Sequence, residues 1–172
     1  MFHSTTLQDV LIDEVKDLYS AETQLVRALP NFVRAGNNLS LKTLFAEHLS
    51  QTRIHVERLK EVADHLGGSA TGRTCHTMHG LIAEGEDYVD SIPMGDTRDA
   101  SLLCLARKIE HYEIAGYGSV RSIALTLRLH RVVVLLQATL DEESDEDREL
   151  SGLADFVNSR AESPHDLLSV VS

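Results

Sequence analysis

A chain of 172 residues, 42% hydrophobic and 25% charged, is long enough to form one domain around a sizeable core. Its formal net charge of −11 argues against a general nucleic-acid binder, which needs a basic face to neutralise phosphates, and suits a protein that attracts cations. The longest apolar run, 132–136, is too short to cross a bilayer, and Cys75 and Cys104 make neither a Cys-x-x-Cys pair nor a disulfide framework. No membrane role is therefore expected, and a reducing cytoplasm is the expected location. The opening Met1-Phe2-His3-Ser4-Thr5-Thr6 has no basic segment ahead of an apolar one, so no secretory signal is read there.

Three prolines and long stretches without a breaker favour helices. Ser4 or Thr5 is placed to cap a first helix, along which Leu7, Leu11, Leu18, Leu25, Leu29 and Phe32 recur at helical spacing. Pro30 is expected to bend its last turn, and Gly36-Asn37-Asn38 to stop it. Ser40 then caps a second helix with the stripe Leu41, Leu44, Phe45, His48, Thr52, His55, Leu59, Val62 and Leu66, closed by Gly67-Gly68. Residues 69–77 read as a loop, and a shorter third helix is expected over 78–91, broken by Pro93-Met94-Gly95. Asp96 or Thr97 caps the fourth, which runs from about Asp99 to about Leu129 with Leu102, Ala106, Ile109, Glu113, Gly116, Val120, Ile123 and Leu127 inward. Gly116 and Gly118 inside a helix cost about 1 kcal/mol each relative to Ala, which a close helix contact or a bulky neighbour such as Tyr117 would explain. The fifth helix begins near Leu129 or His130 and turns Val133, Leu136, Leu140, Glu143, Asp147, Leu150, Ala154 and Val157 to the core. Residues 1–158 then make a single all-α domain, a four-helix bundle with an additional short helix, and 159–172 a flexible tail.

Polar residues interrupt all four long stripes near mid-length. They are Glu22 on the first helix, His48 with Gln51 and His55 on the second, Glu110 and Glu113 on the fourth, and Glu143 beside Glu142 on the fifth. Glu110 and Glu113 share a face, with Cβ atoms about 5–6 Å apart. A buried carboxylate without a partner costs several kcal/mol, so four such interruptions imply that they compensate one another. Two readings stand open. Arg or Tyr partners, with Arg107 and Arg121 nearest in sequence, would make a structural network; divalent cations would neutralise the acids through oxygen and imidazole ligands.

The runs Tyr19-Ser20-Ala21-Glu22-x-Gln24-Leu25-x-x-Ala28-Leu29-Pro30, His48-Leu49-x-x-Thr52, Lys108-Ile109-Glu110-His111-Tyr112-Glu113-Ile114-Ala115-x-Tyr117-Gly118 and Thr139-Leu140-Asp141-Glu142-Glu143 carry a resemblance. In order, over roughly residues 5–158, they resemble the YciF/YciE stress-response family of the ferritin-like superfamily. The resemblance implies a ferritin-like bundle with a rubrerythrin-type centre of two metal ions, in a homodimer; iron, or iron with manganese, is the expected metal. It implies Glu22, His48, Gln51, Glu110, Glu113 and either Glu142 or Glu143 as metal residues, the last choice turning on helix phase by one residue. The resemblance implies a stress response without defining an activity; the first functional expectation is that dioxygen or peroxide takes electrons from the metals, in Fe(II) oxidation or peroxide removal. Tyr19, Tyr112 or Tyr117 would hydrogen-bond a ligand carboxylate. Position 51 departs from the pattern, since relatives carry His-Leu-Glu-Glu-Thr; Gln51 brings a weak carbonyl ligand and no charge, and His55 lies one turn away to compensate. The Glu-x-x-His order of many ferritin-like centres is missing from the second and fifth helices. The rival function is non-enzymatic, a dimeric helical stress protein with an inward polar network.

Overall fold

The protein is described by a computed structural model over residues 5–162, and every regular element among them is a helix. α1 (Leu7–Ala35) opens on a capping box: Thr6 Oγ1 accepts from the Asp9 amide at 3.1 Å, and the Asp9 carboxylate accepts from the Thr6 amide at 2.9 Å. Thr6 is thus the cap in place of Thr5, and Ser4 lies outside the described residues. Pro30 sits inside α1, which continues beyond it to Ala35.

α2 (Leu39–His65) is capped by Asn38 rather than Ser40. Asn38 has an extended backbone, φ −71° and ψ 128°, and its side chain accepts from Leu41 N–H at 3.1 Å; Ser40 is already helical. α3 (His76–Ser91) starts two positions before the expected 78, because the Cys75 sulfur accepts from Met78 N–H at 3.4 Å. α4 (Asp96–Thr126) follows Gly95 with no side-chain cap, so neither Asp96 nor Thr97 plays that part. Arg128 turns the chain with a left-handed φ of 58° into α5 (His130–Glu162). Residues 159–162, expected in the tail, are helical, and the rest of that expected tail lies outside the described residues.

α1 and α2 pair as a hairpin, as do α4 and α5, and α2 packs on α5 and α1 on α4. The Asp99 carboxylate, 1% exposed, accepts from the amides of Asn37 and Asn38, both at 2.7 Å. α4 therefore starts at the end of the bundle where α1 stops, and the connection through α3 carries the chain back along α1 and α4. Two glycines permit close approach. A Cβ on Gly85 would stand 2.3 Å from Leu105 Cδ2 and 2.6 Å from Phe32 Cζ, and one on Gly116 would stand 2.8 Å from Leu18 Cδ2. Gly118 faces open space, so the contact expected of both holds for Gly116.

The core is two apolar clusters. One is built from Leu25, Phe32, Phe45, Leu102, Ile109 and Leu150 among others, the second from Leu11, Leu18, Leu59, Tyr117, Val120 and Leu136. Along every long helix the chain passes from one cluster to the other across a short stretch of buried acids and histidines. That polar layer is where the four interruptions fall.

Candidate metal centre

Seven side chains fill the layer: Glu22 from α1, His48 and His55 from α2, Glu110 and Glu113 from α4, and Glu143 and Glu146 from α5, all buried. The helix period puts them there. His48 and His55 are two turns apart on one face, and each α4 and α5 pair is spaced i, i+3 on a core-facing stripe.

Two overlapping groups result. In one, His48, Glu110, Glu143 and Glu146 each offer a ligand atom within 4.8 Å of the others; in the second, Glu22, His55 and Glu143 do so. Glu143 belongs to both. His48 Nδ1 lies 3.1 Å from Glu110 Oε1 and 2.9 Å from Glu146 Oε1, while its Nε2 is 3.7 Å from Glu113 Oε2. His55 Nδ1 lies 2.9 Å from Glu143 Oε1 and 3.5 Å from Glu22 Oε1. Its Nε2 meets Glu142 Oε2 at 2.8 Å. Arg58 grips Glu142 through two nitrogens, at 2.7 and 3.2 Å, and donates to Thr139 Oγ1 at 2.6 Å. Arg58 and Glu142 thereby fix the His55 ring so that Nδ1 faces the layer. Tyr117 O–H donates to Glu22 Oε1 at 2.5 Å.

Burial pushes the Glu22, Glu110, Glu113 and Glu146 carboxyls above their ordinary range. Burial acts on Glu143 too, but the hydrogen bond and charge of His55 and the charge of His48 outweigh it and hold Glu143 low. Burial alone would lower both imidazoles. The charges of Glu110 and Glu146 instead raise His48, and contacts with Glu143 and Glu22 raise His55 to about 10.

Both carboxylate oxygens of Glu110, Glu113 and Glu143, and Oε2 of Glu22 and Glu146, are buried without an aligned hydrogen bond. His55 Nδ1 is close to Glu143 in distance yet equally unaligned. Acceptor-only oxygens in that number want cations, and imidazole with carboxylate suits iron, manganese or zinc. The donor set fits divalent metal, which His48, Glu110, Glu143 and Glu146, or Glu22, His55 and Glu143, would hold.

The structure brings together Glu22, His48, Glu110 and Glu143 from the expected set, and places Glu113 beside His48. Between the two α5 neighbours Glu143 turns inward; Glu142 is 38% exposed and outside both groups. Gln51 is half-buried, with Oε1 buried and unpartnered. His55, named as a compensating group, is a member. Glu146 is the member that sequence reasoning missed. Its signal is its i+3 spacing from Glu143, which repeats that of Glu110 and Glu113, whereas the expected stripe runs through Asp147. Asp147 instead reaches Arg107 at 3.4 Å and His111 at 3.5 Å. Arg107 is thus not a partner of the buried acids, and neither is Arg121, whose Nε has no partner. The arginine that attends the layer is Arg58, three residues after His55. Of the tyrosines, Tyr117 bonds Glu22, whereas Tyr112 donates to Asp17 at 2.6 Å.

The DUF892 family, described as a domain of unknown function, matches residues 6–162. Protein YciF of Escherichia coli K12 is 40% identical over 159 residues, covering 91% of this chain and 96% of YciF. The crystal structure of the E. coli stress protein YciF superposes with a TM-score of 0.87 at 37% identity, over 91% of this chain and 99% of that one. YcfI from Rhodopseudomonas palustris gives 0.83 at 32% identity, over 88% and 98%. A ferritin-like, diiron-carboxylate protein from Bacillus anthracis gives 0.68 at 20% identity over 90% and 99%, a likeness of fold. This chain, with its ferritin-like bundle and its close similarity to YciF along nearly all of its described length, belongs to the DUF892 family.

Proposed function

We propose that the polar layer is a dinuclear metal centre for iron, or iron with manganese, and that the protein serves a stress response by oxidising Fe(II) or removing peroxide. The observation that carries this reading is Glu143, shared by two groups of buried ligand atoms on either side of it. Support comes also from the relatives, one named a stress protein and one a diiron-carboxylate protein. Two redox-active ions bound there would supply electrons to dioxygen or peroxide. The chain's own part is to hold and seal. Glu22, His55 and Glu143 would hold one ion and His48, Glu110, Glu143 and Glu146 the second, with Glu113 beside them. Tyr117 steadies Glu22, Arg58 and Glu142 steady His55, and the apolar clusters above and below keep bulk water out. The reading includes a cytoplasmic homodimer, as the family resemblance implies; no described helix is long and apolar enough to cross a membrane.

The test is metal content of untagged protein by elemental mass spectrometry, then anaerobic Fe(II) loading and exposure to dioxygen or peroxide. Two ions per chain and oxidant consumption faster than that of free Fe(II) are expected. Consumption no faster than free Fe(II) refutes the oxidative function. In a second reading the layer is structural, Gln51 brings no charge to a metal, and melting is indifferent to chelator.

A further inference from the structure

Glu146 is the most exposed member of the polar layer. Glu22, Glu110, Glu113 and Glu143 are 0% exposed, whereas Glu146 is 7% exposed. Glu146 reaches a cleft of about 190 Å³ between α2 and α5, whose lining includes Glu47, Gln51, Glu142, Asp145 and Glu149. Glu146 belongs both to the layer and to the lining of the cleft. Its Oε1 is 2.9 Å from His48 Nδ1 inside the layer, and its Oε2 is buried with no hydrogen-bond partner. Gln51 Oε1, on the same cleft, is also buried and unpartnered. Outside them stand the exposed carboxylates of Glu47, Asp145 and Glu149. Of these three, Asp145 alone has an ion pair among the described residues, with Arg148.

We infer that this cleft is a divalent-cation collecting site, which takes a cation from solvent onto its outer carboxylates and passes it across Glu146 to the His48 side of the centre. The inference rests on the layer being a metal centre, and adds to it a route and a second, weaker binding place. A single-sign cleft with low-dielectric walls concentrates counter-ions and raises their rate of entry. The unpartnered oxygens of Gln51 and Glu146, both on the cleft lining, provide acceptors for a partly dehydrated cation that needs replacements for lost water. A larger groove of about 700 Å³ is also lined by acids, Asp13, Glu14 and Asp17. It includes none of the buried glutamates, and Arg73 already pairs with Glu14 and Asp17.

The experiment is stopped-flow uptake of Co(II) by metal-free full-length protein, read from the visible absorbance of the bound ion. Wild type is compared with the E47Q/D145N/E149Q variant at low and high salt. All three changed residues are exposed, and equal melting curves in chelator verify the fold. Expected are the same final amount of tightly bound Co(II), uptake slowed about tenfold in the variant at low salt, and wild-type uptake that slows as salt is added. Equal rates for the two proteins overturn the inference and leave the centre standing. A variant that ends with less Co(II) also overturns it, since the outer acids then hold the centre rather than feed it. If wild type takes up no Co(II), the metal centre itself fails and the route with it, a result seen in the end point rather than in the rate.

Discussion

Glu113 tests whether the layer is built for metal or for its own internal bonding. It is 0% exposed, and neither oxygen has a hydrogen-bond partner. Its nearest ion-pair neighbour is His48 Nε2 at 3.7 Å. Burial first, then the charges of Glu143 and Glu22, drive the carboxyl well above its ordinary range. In the metal-free protein such a group is a liability: a buried polar group left unsatisfied costs about 1–3 kcal/mol. Methionine is similar in length, apolar and adaptable in a core gap. Allowing for imperfect repacking, the Glu113→Met variant in chelator should be more stable than wild type by about 1–2 kcal/mol. At roughly 2–4 °C per kcal/mol for a domain of this size, the melting temperature rises by about 2–8 °C. Metal should reverse the order. Ions free at a hundredfold excess over their dissociation constant add about 2.7 kcal/mol to wild type, a gain the variant largely forgoes. Paired thermal and urea unfolding, with chelator and with Mn(II), reads both effects. A chelated variant less stable than wild type by more than about 1 kcal/mol would refute the reasoning, because Glu113 would then be a satisfied member of a structural network.

Asp99→Ala removes two charge-assisted bonds that tie the start of α4 to the α1–α2 turn and leaves two amides without acceptors. Urea unfolding should show a loss of about 3 kcal/mol with metal stoichiometry unchanged. On α3, Gly85→Ala should cost about 1–3 kcal/mol by driving a Cβ into Leu105 and Phe32, while Gly80→Ala, which meets nothing, should gain up to about 1 kcal/mol. Equal effects of the two would deny that Gly85 is there for the close approach. Gln51→Glu should lower the melting temperature in chelator yet tighten Mn(II) binding by calorimetry; weaker binding would show that position 51 does not face the bound ions.

Most of the fold could be read from the sequence because helical stripes, breakers and an unbroken composition agreed with one another. Where the reading missed, two candidates satisfied the same local rule. Asn38 and Ser40 are both good cap residues, and only the backbone angles decide between them. On α5, Glu146 and Asp147 follow Glu143 at i+3 and i+4, and both spacings continue a stripe. What separates them is tertiary: Arg107 and His111 hold Asp147 at the rim, leaving Glu146 to face His48. Arg58 escaped notice because an arginine on the polar flank of an amphipathic helix is usually solvated, and its role depends on Glu142 reaching it from another helix. The tail began too early in the reading because residues 159–162 carry no apolar periodicity, while the helix they extend does.

Charge gives the layer its logic. Five buried glutamates face two imidazoles, between apolar clusters that offer no counter-charge. Without metal, burial makes Glu22, Glu110, Glu113 and Glu146 hold protons more tightly than in water, and contacts with the surrounding acids make both imidazoles do the same. Two divalent ions would displace those protons and nearly cancel five carboxylates, so loading should release protons and strengthen as pH rises. A glutamate at position 51 would be a sixth acid at the same layer, harder to neutralise by protons in the empty state. On this argument Gln51 does not mark a broken centre. It lowers the electrostatic strain of the metal-free bundle while leaving an acceptor oxygen in place, and it puts that neutral oxygen on the side where the layer opens to solvent.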